Sequence, residues 1–113
     1  MDYSKYLEFI MSQKGKEVEV YNTHDEATPS DFVIVQHFSS NLDNKKFAEA
    51  FMEKFSLDTF PEGYNRGEWI IFDLGEVIIH SFVQDKRVKY NLDKLWQNKR
   101  ISFKEEKKTK KRG

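Results

Sequence analysis

The sequence predicts one α/β (α+β) domain, a compact mixed β-sheet with flanking helices, and three observations carry that expectation. Apolar residues recur at helical spacing near the start and again in the middle of the chain; four short segments have the alternation or apolar density of strands; and 113 residues suffice for one core but not two.

Tyr3, Tyr6, Leu7, Ile10 and Met11 lie at helical spacing. Asp2 is placed to cap this helix and Gly15 to stop it, with its end near Gln13. Val18 and Val20 then alternate with Glu17, Glu19 and Tyr21, as in a strand with one wet face. Thr28, Pro29 and Ser30 punctuate the following loop, and residues 31–36 are apolar enough for an interior strand covered on both sides. Ser39 or Ser40 can cap the next helix. There Phe47, Phe51 and Phe55 recur every four residues, widened by Ala48 and Met52 into a core stripe. Pro61 and two glycines keep residues 58–67 from continuing it. Residues 68–73 and 76–83 read as a hairpin joined at Leu74 and Gly75, where glycine supplies the positive φ of a tight turn. Short helices complete residues 1–98 as the domain.

The formal net charge of zero hides a division. Residues 99–113 carry eight basic side chains against Glu105 and Glu106, about +6, which leaves residues 1–98 at about −6. An acidic body favours a basic protein partner, whereas a Lys-rich tail neutralises phosphates without reading sequence. There are no cysteines, hence no disulfide, thiolate zinc site or cysteine nucleophile. The apolar runs are far short of the roughly 20 residues that span a bilayer, and the first fifteen residues have neither signal-peptide nor transit-peptide character.

Parity sharpens the hairpin. Side chains alternate along a strand, so a loop of even length puts odd positions of the first strand on the same face as even positions of the second. Trp69, Ile71 and Asp73 then share a face with Ile78, His80 and Phe82, while Ile70, Phe72, Val77 and Ile79 form the other, wholly apolar face. A mixed aromatic and polar face suits a partner surface. It equally suits a face covered by the first helix or by the C-terminal segment. Tyr90 follows Arg87 by three, consistent with a helix-end ion pair and a ring on the sheet edge or with a brace for the hairpin; Trp96 is placed to seal the C-terminal segment onto the sheet.

Enzyme readings find little support. A nucleotidyltransferase needs a Gly-Ser turn and an Asp-x-Asp pair for two magnesium ions, and neither motif occurs. Asp73 and Glu76 flank a turn. His24, His37 and His80 lack metal-site spacing, so no metal or cofactor is expected, and there is no nucleophile elbow or Gly-rich phosphate loop.

Residues 62–96 carry an ordered set of features: Glu62-Gly63, Gly67 and Trp69, Asp73 and Gly75, His80 and Phe82, Arg87, Tyr90, then Leu92, Leu95 and Trp96. At near-fixed spacing this set resembles the ribosomal silencing factor family, also called Iojap-type, and residues 31–35 fit a further element of it. The resemblance implies a sheet akin to the nucleotidyltransferase fold without its catalytic residues, serving as a binding module in the bacterial cytoplasm. Its implied partner is the large ribosomal subunit, through the large-subunit ribosomal protein of the uL-fourteen type at the intersubunit face. Blocking subunit association there represses translation. The partner-binding residues expected on this basis are Trp69, Ile71, Asp73, Ile78, His80 and Phe82, with Glu62, Arg87 and Tyr90 beside them. Lys107, Lys108, Lys110, Lys111 and Arg112 of the tail are expected to make weak rRNA contacts. A two-sided apolar sheet is also compatible with a homodimer of the free protein. The sequence departs from the family in the loop 23–30 and at the entry to the second helix, where Asn44, Lys45 and Lys46 replace the usual Arg-Gln pair. The competing reading is a general RNA-binding module using the basic tail and exposed aromatics.

Overall fold

The computed structural model describes residues 3–26 and 29–103. Among these, α1 (Ser4–Ser12) is followed by β1 (Lys16–Asn22), β2 (Phe32–Phe38), α2 (Asn41–Lys54), β3 (Trp69–Asp73), β4 (Val77–Val83), α3 (Gln84–Tyr90), α4 (Leu92–Leu95), a 3-10 turn (Gln97–Lys99) and β5 (Arg100–Ile101). The five strands form one mixed sheet in the order β3-β4-β2-β1-β5. β2 and β4 run parallel at its centre, and the other neighbours are antiparallel. The predicted α+β architecture is therefore present, with 31–36 indeed interior.

One face of the sheet carries the larger core. α1 contributes Tyr6 and Ile10, and α2 contributes Phe47, Ala48 and Phe51, packed on Val18, Val20, Ile34, Ile70, Phe72, Val77 and Ile79. The Phe51 ring lies 4.6 Å from those of Phe55 and Phe72, so the phenylalanine stripe interlocks with the hairpin. Ser40 is the cap of α2, its hydroxyl accepting the Asp43 N–H at 3.1 Å. Beneath the helix, Asn44 donates to the carbonyls of Gly67 and Ser81, while Ser81 donates to Asn44 Oδ1 at 2.5 Å and accepts from Gln36. This buried network ties α2, β2 and β4 into one register.

Several expectations need correction. The cap residue of α1 is Tyr3, without a side-chain cap bond; Asp2 lies outside the described residues. The left-handed residue after α1 is Lys14, with φ of 66°, rather than Gly15. Gly15 is required for another reason: a Cβ there would meet Gln36 Oε1 at 1.9 Å. The supposedly wet face of β1 holds Tyr21, which is 2% exposed, because the C-terminal elements fold over it. The sheet extends beyond residue 98. Arg100 and Ile101 pair with Tyr21 and Val20 of β1, and Phe103 packs on the main core. Two apolar residues in a basic context gave no strand signal. The tail residues Lys107, Lys108, Lys110, Lys111 and Arg112 lie outside the described residues.

Candidate partner-binding face

The hairpin parity is realised. Asp73 pairs with Ile78, Ile71 with His80 and Trp69 with Phe82, leaving four residues between the first pair, with φ of 88° at Gly75. Asp73 builds the turn by accepting the Gly75 N–H at 3.1 Å. Continued through β2 and β1, the register lays out three rows on this face: Asp73, Ile78, Val33 and Tyr21; Ile71, His80, Val35 and Glu19; Trp69, Phe82 and His37.

The C-terminal segment covers the inner part of these rows. After α3 the chain reverses at Asn91, in the left-handed region at φ of 49°, and α4 brings Leu92 and Trp96 onto Tyr21, Val33, Val35 and Phe82. Tyr90 lies 4.7 Å from Trp69, which stacks on Phe82 at 5.0 Å. The Trp69 indole donates to His80 Nδ1 at 3.0 Å. That bond fixes His80 in its neutral form with the remaining proton on Nε2, and burial pushes its pKa down to about 4. The reading of the mixed face as a covered one holds in part. The C-terminal segment, not α1, covers the Phe82 end, while Ile71, Ile78, Trp69 and His80 stay half-buried and Asp73 exposed.

Arg87 holds the covering segment down. Its Nε and Nη2 both reach the Asp93 carboxylate at 3.0 Å, and Nη1 donates to the Lys16 carbonyl and to His37 Nδ1. Tyr21 donates to the same carboxylate at 2.6 Å. Burial raises the Tyr21 pKa well above the ordinary phenol range, with the bond to Asp93 adding to it. For Asp93, burial opposes ionisation, but the bonds from Arg87 and Tyr21 outweigh it and hold the carboxyl below its usual range.

The sequence-derived residues are thus brought together but divide in role. Phe82 is 0% exposed and Arg87 8%, so both support the face from inside rather than lend it contact area. Tyr90 is 46% exposed at its margin. Glu62 stands on the outer side of β3, its carbonyl accepting the Ile71 N–H at 2.9 Å. Gly63 beside it has φ of 84°, and a Cβ would meet the Trp69 carbonyl at 2.0 Å, so Glu62-Gly63 is the backbone lock of this edge. Asp93, Tyr21 and His37 were missed. An acid six residues after Arg87, within the same motif, was the available signal for Asp93.

A sheet face that sets an apolar strip beside a polar edge has the make-up of a candidate binding surface. The family model described as "Ribosomal silencing factor during starvation" matches residues 3–113. The chain belongs to that ribosomal silencing factor family, which is regulatory and non-enzymatic. The ribosomal silencing factor of Halalkalibacterium halodurans is 30% identical over 91 residues, 77% of this chain and 78% of that protein. That of Bacillus subtilis is 49% identical over 71 residues, 59% and 60% of the two chains. A mitochondrial Iojap-related protein of Arabidopsis thaliana is 26% identical over 92 residues, 74% of this chain and 50% of that one. Among solved structures, a Chromobacterium violaceum protein superimposes with a TM-score of 0.73 at 25% identity, covering 86% of this chain and 88% of that one. A Bacillus halodurans structure gives 0.68 at 25% identity, covering 88% and 98%. Among the described residues no helix is long and apolar enough to cross a membrane.

Proposed function

We propose that this ribosomal silencing factor binds the large ribosomal subunit in the bacterial cytoplasm through the large-subunit protein of the uL-fourteen type, and so occludes the joining surface and represses translation. The observation that carries this reading is the uncovered strip at the β3–β4 end of the second sheet face. Ile71 and Ile78 are half-buried there beside exposed Asp73, on a body with a net charge of about −6 over residues 1–98. An apolar centre with an acidic edge complements a basic protein surface, and a non-covalent blocker acts through affinity and position alone.

Sedimentation with isolated large and small subunits tests it. The chain should pellet with large subunits only, and an Ile71→Glu, Ile78→Glu pair should abolish pelleting while keeping the fold. A truncation after Phe103 removes the basic tail and leaves β5 in place. Equal pelleting with both subunits, lost on that truncation, would replace the proposal by general RNA binding through the tail.

A further inference from the structure

A second concavity shares none of its lining with Trp69, Ile71, Ile78 or His80. It is a cleft of about 910 Å³ between the α3–α4 turn and the β1–β5 edge, floored by His37, Arg87, Asp93 and Tyr21. His37 is 4% exposed, and its Nδ1 lies 3.1 Å from Arg87 Nη1. A guanidinium only donates, so Nδ1 accepts and the imidazole proton sits on Nε2. Among the described residues that N–H has no partner, and it is not among their sealed-off polar atoms. The floor therefore presents one buried donor of fixed tautomer to the cleft.

The walls narrow the ligand class. Gln84, Asn91, Gln97 and Asn98 supply four carboxamides, each able to donate and accept. The charges largely cancel: Arg87 is bound to Asp93, Arg100 approaches Glu19 at 3.9 Å, and Glu17 and Lys94 remain with opposite signs. A phosphate group finds no excess cation here and faces three carboxylates. The complementary ligand is neutral and rich in alternating donors and acceptors, which describes a peptide main chain. The Glu17 carboxylate stands on backbone at φ of 45°, in the irregular pairing of β1 with β2, whose Lys16 carbonyl is held by Arg87.

We infer that this cleft binds an extended polypeptide segment of a partner protein through its main chain, a peptide carbonyl accepting from His37 Nε2–H and the carboxamides pairing with neighbouring peptide units. The site is separate from the apolar strip and does not depend on what that strip binds.

The test is an NMR titration of the isotope-labelled full chain with the capped pentapeptide acetyl-Ala-Ala-Lys-Ala-Ala-amide. Saturable shifts are expected at His37 Nε2–H and at the Gln84 and Gln97 carboxamides, with the Trp69 indole unmoved. His37→Gln keeps an acceptor for Arg87 and an N–H for the peptide, so it should retain binding. The exposed pair Gln84→Leu, Gln97→Leu should weaken binding about tenfold with folding intact, as the loss of one or two hydrogen bonds implies. Shifts that never saturate, or that centre on Trp69, would overturn the assignment. Displacement of the peptide by inorganic phosphate or a uridine trinucleotide would overturn it in favour of an anion or RNA site.

Discussion

Trp69 donates its indole N–H to His80 Nδ1 at 3.0 Å, a diagonal bond between the two strands on the hairpin face that Trp96 and Tyr90 partly roof. The bond makes the neutral imidazole part of the fold. An unfolded histidine titrates near 6.5, whereas His80 in the fold titrates at about 4. A depressed folded pKa contributes stability that is complete above the unfolded value and drains away as pH falls towards the folded one. His37 is shifted in the same direction, first by burial and then by Arg87. Denaturant unfolding should therefore show stability falling between pH 6.5 and 4, by roughly 3 kcal/mol from His80 alone. His80→Gln should flatten much of that slope; an unchanged slope would mean the acid response originates elsewhere.

The Arg87–Asp93 pair makes a different demand. Removing one partner of a buried pair strands the other, at a cost of about 3–5 kcal/mol. Arg87→Ala should approach that range, because it also orphans His37 Nδ1 and the Lys16 carbonyl. Arg87→Lys should recover only part, since an ammonium cannot span both Asp93 oxygens and His37 together. Tyr21→Phe removes a single bond and should cost about 1 kcal/mol. Chemical denaturation of the three variants checks the order, and equal losses would argue against a bidentate clasp.

How much of this was legible depends on the range of the interaction. The hairpin, its parity and the phenylalanine stripe were readable because strand alternation and helical spacing are local periodicities, and Phe47, Phe51, Ile70 and Phe72 obey them. Tyr21 was misread because its cover arrives from Trp96, 75 positions further on, and alternation says which side a residue faces but not what lies above it. β5 was missed because two residues have no period. The shared face of Trp69, Ile71, Asp73, Ile78, His80 and Phe82 was visible, yet which of them a covering segment buries was not. Phe82 and Ile78 share a face and differ only in whether α4 and Trp96 reach over them.

Gly15 offers a test of steric rather than conformational need. Gln36 Oε1 is buried without a hydrogen-bond partner among the described residues and lies where the Gly15 Cβ would stand. Gly15→Ala must displace Gln36 and with it the bond to Ser81, so a loss of about 1–3 kcal/mol is expected. Gly75→Ala meets nothing within 4 Å and strains only φ, about 1 kcal/mol. Thermal melts of the pair should rank Gly15→Ala as the more damaging; the reverse order would show that the Gln36 site relaxes freely.

Phe82 and Tyr90 both touch Trp69 but from opposite sides of the solvent boundary, so their removal should have different effects. Phe82→Ala empties the centre of the second core, where the ring is 0% exposed, and should cost about 3–5 kcal/mol. Tyr90→Ala removes a ring that is 46% exposed, so its effect on unfolding should stay below about 1 kcal/mol. If the Trp69 strip is the ribosome-binding surface, Tyr90→Ala should nevertheless weaken large-subunit binding, because Tyr90 shields and orients the Trp69 ring. Phe82→Leu, which keeps most of the buried volume, should bind almost as the parent does. Measuring melting midpoint and subunit affinity for each variant resolves the two roles. Binding that tracks the midpoint in all three would mean that Tyr90 acts only through stability.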